Sequence, residues 1–355
     1  MFARCSMFLR SAALVAMVCA TSLVGAQTEE GAAGEAKRKI GIGDNAPALQ
    51  VGEWIQGEPV AQFEKGKVYV LDFWATWCGP CIAAMPHMTE TQEKYKDKGV
   101  QVVGVAIWQP DFADVKPWVE KNQKKMGYSV VLEHCPPHPE GMTEPRDRFQ
   151  WSSEKGKMSQ TWMKAAERNG IPSVFIVDQN QKIAWVGHPM DGMDEALDKI
   201  VSGKYDLAEA AKKQRQAEQA EELKERFVAM MRAGKHSEAF KFAAGHVDTT
   251  FNEDANFLNF IAWGIVDPEG NVKDKDLALA MRAAVRANDL TKGKNAAIVD
   301  TLARVHFCKG ELTRAIALQE KAVELAEGEM KEELAKALAE YQAKAAEEKP
   351  EKESF

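Results

Sequence analysis

The chain has 355 residues, 45% of them apolar, and a formal charge of -7. That length exceeds one ordinary domain and predicts two. No long basic stretch occurs, so nucleic acid is not an expected partner, because its footprint needs Lys and Arg clustered on one face.

In chain order, Arg4 and Arg10 form a basic head, Ser11 to Val24 a short apolar core, and Val24-Gly25-Ala26 a small-residue cleavage site. The pattern predicts an export signal over residues 1–26, cleaved near Ala26–Gln27, and a periplasmic or otherwise exported location. An uncleaved anchor helix is the alternative, although the apolar run falls short of the roughly 20 residues a membrane span needs. Residues 27–39 read as a flexible leader. Export removes Cys5 and Cys19 and leaves Cys78, Cys81, Cys135 and Cys308. Four thiols in so long a chain are too few for a disulfide scaffold, so the fold must stand on its core.

Residues 40–203 alternate strand and helix patterns. Lys67 to Trp74 and Val100 to Ile107 are apolar, β-rich runs, Cys81 to Lys98 is helical between them, and Tyr128 to Leu132 is a shorter third strand. Val174 to Asp178 and Lys182 to Gly187 flank a polar turn and read as a hairpin. Buried strands joined by helices predict an α/β layer around a mixed sheet. Residues 133–157 interrupt the pattern with Pro136, Pro137, Pro139 and Pro145, and predict an irregular insertion. Residues 204–347 are rich in Ala, Leu, Glu and Lys and predict an all-α domain. Leu277-Ala278-Leu279 and Ala284-Val285 recur as Ala315-Ile316-Ala317 and Ala322-Val323, which suggests a helical-repeat array of tetratricopeptide-like pairs, with a plain bundle as the alternative. Residues 348–355 read as a disordered tail.

The chemistry concentrates at Cys78-Gly79-Pro80-Cys81, between a buried strand and a helix start. A helix N-terminus offers unpaired N–H groups and partial positive charge, which favours the Cys78 thiolate. Three-residue spacing puts both sulfurs on one side of the first turn, within bridging reach. Cys78 then reads as nucleophile and Cys81 as the resolving thiol. Half of a zinc site and a purely structural bridge are the rival readings, but Cys135 and Cys308 are single and far apart in sequence, so no metal is expected. His134, Cys135 and His138 cluster in the insertion and lack a clear fourth ligand. Cys308 reads as a small buried hydrophobe, and a Cys135–Cys308 bridge stays open.

Around these residues the sequence resembles the thioredoxin superfamily, in particular its exported TlpA/ResA-like branch. The resemblance covers Ile40 to Gly203 and rests on Gly43-Asp44-Asn45-Ala46-Pro47, the Trp77-Cys78-Gly79-Pro80-Cys81 core, and Gly170-Ile171-Pro172-Ser173-Val174-Phe175. It implies a thioredoxin-like fold with a four- or five-stranded sheet, and a cis Ile171–Pro172 bond that sets Pro172 beside Cys78. It further implies that Trp77, Gly79, Pro80 and Ile171 contact substrate, the Ile171 backbone by strand-like pairing. Asp72 occupies the place of a buried carboxylate behind the active pair and reads either as proton acceptor for Cys81 or as a strand-end Asp held by local hydrogen bonds. Relatives that carry a Glu after the second cysteine differ here, where Ala84 stands. Trp74 reads as support beneath the pair, and both tryptophans are open to a plain core reading.

Two functions follow as expectations. One is a protein thiol–disulfide oxidoreductase, with reductase favoured because the Gly79-Pro80 dipeptide matches thioredoxin, a strong reductant at roughly −270 mV. Its partners would be disulfide-containing exported proteins and a membrane thiol electron donor, with no cofactor. The other is a partner-binding scaffold in which the helical domain carries the function on a thioredoxin-fold platform.

Overall fold

The computed structural model of the protein describes residues 39–270 and 272–348. The predicted export signal over residues 1–26, the leader apart from Lys39, and the tail beyond Glu348 lie outside the described residues.

Six strands form one sheet: β1 (Val51–Gln56), β2 (Val68–Trp74), β3 (Val100–Ala106), β4 (Ser129–Glu133), β5 (Ser173–Val177) and β6 (Ile183–Gly187). Their order is β1-β4-β3-β2-β5-β6. β2, β3 and β4 run parallel, whereas β1, β5 and β6 are antiparallel to their neighbours. All seven residues of β2 are buried, because both faces of the sheet are covered. Val68, Val70 and Trp74 turn to the face packed by helix α1 (Gly79–Tyr95), in one cluster with Cys78 and Cys81. Tyr69, Leu71 and Phe73 turn to the other face, packed by Met158, Trp162 and Met163. A strand buried on both sides reads as an unbroken apolar run, which is why β2 and β3 are plain in the sequence.

Two features differ from expectation. The sheet has a sixth strand: β1 is an edge strand with an irregular register against β4, and most of its residues are partly exposed. Its polar, Gly-containing sequence therefore carries little alternation. The segment 133–157 is not irregular throughout. It holds helix α3 (Pro145–Lys155), started by Pro145 in the first turn, and a π-helical stretch, Ser159–Lys164, follows it. Helices α2 (Val115–Asn122) and α4 (Met193–Val201) complete this part.

After α4 the described chain is helical: α5 (Leu207–Arg232), α6 (His236–Ala244), α7 (Ala255–Val266), α8 (Leu277–Leu290), α9 (Ala296–Cys308), α10 (Leu312–Leu325) and α11 (Gly328–Glu347). The long helix α5 joins the two halves. Near its start the Ile42 N–H donates to Gln214 Oε1 at 2.6 Å, and Lys39 pairs with Glu218 at 3.0 Å. Near its end Phe227 is fully buried against Phe240, Phe257 and Phe260. Buried Ala280 and Ala287 on α8 correspond to buried Ala315 and Ala322 on α10, counted from the helix starts Leu277 and Leu312. The sequence offset that pairs Ala284 with Ala322 is therefore out of step by almost one turn. Helices rich in Ala and Leu match themselves when slid by three residues, so self-similarity alone cannot fix their register. No described helix is long and apolar enough to cross a membrane.

Candidate active site

β2 ends at Trp74, and the chain turns through Ala75–Trp77 into α1. The Cys78 N–H donates to the Ala75 carbonyl at 3.1 Å, which closes that turn. Cys78 is the N-cap of α1, and its Sγ accepts from the Cys81 N–H at 3.2 Å. The first turn of α1 carries no acidic side chain, so nothing there opposes negative charge on sulfur. Cys78 and Cys81 are joined as a disulfide with Cα atoms 5.3 Å apart. Both residues are buried, while Gly79 and Pro80 between them are exposed. Cys135 and Cys308 are both free and partly buried, so the open pairing of the two is not present.

The Ile171–Pro172 bond is cis, and the Ile171 carbonyl oxygen lies 3.7 Å from Cys78 Sγ. Pro172 is buried and Ile171 half-buried. Of the residues singled out from sequence, Cys78, Cys81, Trp77, Gly79, Pro80, Ile171 and Pro172 thus meet at one edge of the fold. Trp77 is 50% exposed. Its indole N–H donates to the Trp108 carbonyl at 2.9 Å, and Phe149 of α3 packs edge-on at 5.6 Å between ring centres. The insertion therefore supplies one wall beside the active pair. Trp74 is fully buried and packs against Trp118.

Asp72 lies on the α1 face of the sheet, between Val70 and Trp74 in alternation, and is buried. Burial pushes its carboxyl up to about 7, and its Oδ1 has no hydrogen-bond partner. The strand-end reading needed local hydrogen bonds to hold the carboxylate, and that oxygen has none.

A second buried carboxylate was missed in the sequence. Glu133, at the end of β4, accepts from the Ser159 N–H at 2.9 Å and from the Ser159 hydroxyl at 3.0 Å. It also accepts from the Trp108 N–H at 3.4 Å. Burial raises its carboxyl to about 7, while the Ser159 bonds oppose that rise. Glu133 thus clamps the base of the insertion, reinforced where the Lys157 N–H donates to the His134 carbonyl at 2.8 Å. Trp108 sits at φ 54, a conformation uncommon for a bulky residue, with Glu133 on its N–H and Trp77 on its carbonyl. An acid directly after Val130-Val131-Leu132 was the available signal, since a charge ending a buried strand needs a partner. Among the described residues no three His, Cys, Asp or Glu side chains converge as a metal site, and His134, Cys135 and His138 form none.

Residues 42–200 match the Redoxin family. The protein FixW of Rhizobium leguminosarum is 26% identical over 189 residues, 53% of this chain and 77% of that protein. The thiol-disulfide oxidoreductase ResA of Bacillus anthracis is 38% identical over 98 residues, 27% of this chain and 54% of that protein. The chain thus spans about half the length of the ResA relatives it matches. Among solved structures, a thiol-disulfide isomerase from Corynebacterium glutamicum is 21% identical with a TM-score of 0.33, covering 45% of this chain and 97% of that one. StoA from Bacillus subtilis is 20% identical with a TM-score of 0.30, covering 42% and 98%. Residues 42–200 thus carry a Redoxin-family match and are similar to the ResA thiol-disulfide oxidoreductases, and a helical region follows them.

Proposed function

We propose that the protein is an exported thiol–disulfide oxidoreductase that reduces disulfides in other exported proteins. The observation that carries this reading is the Cys78–Cys81 disulfide at the N-terminus of α1, with Cys78 facing the Ile171 carbonyl across 3.7 Å. In the reduced state the Cys78 thiolate attacks a substrate disulfide, forming a mixed disulfide and releasing one substrate thiolate. The Cys81 thiol gives its proton to Asp72 and attacks the Cys78 sulfur. That step restores the Cys78–Cys81 disulfide and releases the second substrate thiolate, so two electrons pass from the enzyme to the substrate. A membrane thiol donor returns two electrons to reset the pair.

An extended substrate segment pairs with the Ile171 backbone and lies against Trp77, Gly79 and Pro80. Exposure of Gly79, Pro80 and Trp77 beside a buried sulfur supports this, because a protein chain that approaches the pair meets these residues. The helical region chooses the client. Export rests on the residues 1–26 pattern, and finding Gln27 at the mature N-terminus by mass spectrometry tests it.

The direction of electron flow is tested by titrating the pair against defined dithiol buffers. A potential near thioredoxin's, roughly −270 mV, agrees with a reductase; one near roughly −120 mV would make the protein an oxidant instead. The cycle itself is tested with Cys81→Ser, which must accumulate a mixed disulfide through Cys78. If the double Cys78→Ser, Cys81→Ser protein kept its cellular role, the scaffold reading would replace this one.

A further inference from the structure

Three buried polar atoms without a protein partner lie on the α1 face of the sheet. They are Asp72 Oδ1, Trp74 Nε1 and Tyr128 Oη. Gly104 is what brings them together. It is the register partner of Asp72 across the β2–β3 pair, so the two residues point to the same face. A side chain there would occupy space already taken. An added Cβ would lie 2.9 Å from Tyr128 Cε2 and 3.2 Å from Trp74 Nε1. The Tyr128 ring and the Trp74 indole therefore converge over Gly104, beside the Asp72 carboxyl. Tyr128 is close enough to Asp72 for the carboxylate's charge to raise its phenol, although burial is the larger cause.

Orphaned polar atoms in a core are rare, because a buried donor or acceptor left unpaired keeps its full desolvation cost. Here the donor and acceptor types are complementary. An indole N–H only donates, a phenol both donates and accepts, and a carboxylate only accepts. One water molecule that accepts from Trp74 and Tyr128 and donates to Asp72 satisfies all three. Buried waters hold two to four such bonds in sites of this kind.

We propose that Asp72, Trp74 and Tyr128 enclose a buried water site, and that Tyr128 is a positioning residue that acts on Asp72 through this water. This rests on the reading of Asp72 as acceptor of the Cys81 proton. When Cys81 gives up its proton, Asp72 passes from carboxylate to carboxylic acid, and the thiolate keeps the electron pair for attack. Tyr128 and Trp74 stabilise the carboxylate before that transfer, and the water rotates to keep its bonds afterwards. The titratable side chains in the surrounding cluster are Cys78, Cys81 and Tyr95 of α1 and Tyr128, with Tyr205 at the margin. With the pair oxidised, neither cysteine titrates.

Both tests use the oxidised full chain without substrate, so they can fail while disulfide exchange persists. A crystal structure at about 1.5 Å should show one ordered water within roughly 3 Å of all three atoms. A dry site, or a direct Asp72–Tyr128 bond with no water, overturns the proposal even if no variant folds. The second measurement is the carboxyl ¹³C titration of Asp72, assigned with Asp72→Asn. Tyr128→Phe should move the midpoint upward by about half to one pH unit, because the carboxylate loses a donor's support while the neutral acid loses less. A natively folded Tyr128→Phe with an unchanged Asp72 midpoint removes the positioning role.

Discussion

Replacing Asp72 with Asn tests the electrostatics of the site without touching sulfur. The Asp72 carboxyl is raised from its ordinary value of 3.8 to about 7 by burial. The unfolded chain therefore sheds this proton at lower pH than the folded one. The associated stability is complete below the ordinary carboxylate range and is lost as pH rises through about 7. The whole loss is on the order of 4 kcal/mol, of which about 2 to 3 kcal/mol falls between pH 5 and pH 8.5. The amide of the Asp72→Asn variant cannot ionise, so that protein should gain about 2 to 3 kcal/mol relative to wild type over that interval. Glu133 is common to both proteins and cancels in the comparison. The assay is urea unfolding of the oxidised proteins followed by tryptophan emission. Every tryptophan except Trp263 precedes α5, so the signal reports the redox domain even if the helical region unfolds separately. A wild-type-to-variant difference that changes by less than about 0.5 kcal/mol between the two pH values would refute the burial argument.

Three further outcomes follow from packing. In Gly156→Ala the new methyl would sit 2.2 Å from Glu133 Oε2, so the clamp at the base of the insertion must open. A loss of about 2 kcal/mol or more in urea unfolding is expected, and a neutral result would show that the clamp is loose. Trp77→Ala removes a half-exposed wall and should cost less than about 1 kcal/mol of stability. It should raise KM for a peptide disulfide while leaving turnover of a small aliphatic disulfide unchanged, which steady-state kinetics on both substrates will show. Phe227→Ala empties the centre of the aromatic cluster where α5 meets α6 and α7, and should cost the helical region about 3 to 5 kcal/mol by far-UV circular dichroism.

What could be read from the sequence tracks how local each feature is. β2, the start of α1 and the Cys78–Cys81 pair lie in one continuous stretch, and their pattern of apolar run, turn and helix cap is self-contained. The β5–β6 hairpin is legible for the same reason. β1 is not, because its partner β4 lies far along the chain and its own residues are half exposed. Phe149 and Trp108 are separated by a whole strand and helix, and only the folded insertion sets them beside Trp77. Tyr128 is hidden in another way. It reads as the opening residue of a strand, and its significance depends on the missing side chain at Gly104 on the neighbouring strand. The helical half is legible as helix and misleading in register, since its small residues also match when one helix is slid by three residues along the other.

The two buried carboxylates show why a raised titration point alone does not identify a catalytic group. Asp72 and Glu133 both stand at about 7, and burial is the largest cause for each. Glu133 takes up hydrogen bonds from Ser159 and Trp108, on the sheet face away from α1. Its bonds are spent on holding the insertion closed, and a proton there would weaken that clamp. Asp72 has an oxygen with no protein partner, on the face that also holds Cys81. An oxygen left free on that face can accept a proton without breaking any part of the fold. Ala84 reinforces this division, because the helix after the cysteines offers no carboxylate of its own at that position. In the proposed cycle Asp72 rather than Glu133 is thus the group suited to accept the Cys81 proton, while Glu133 holds the insertion beside Trp77.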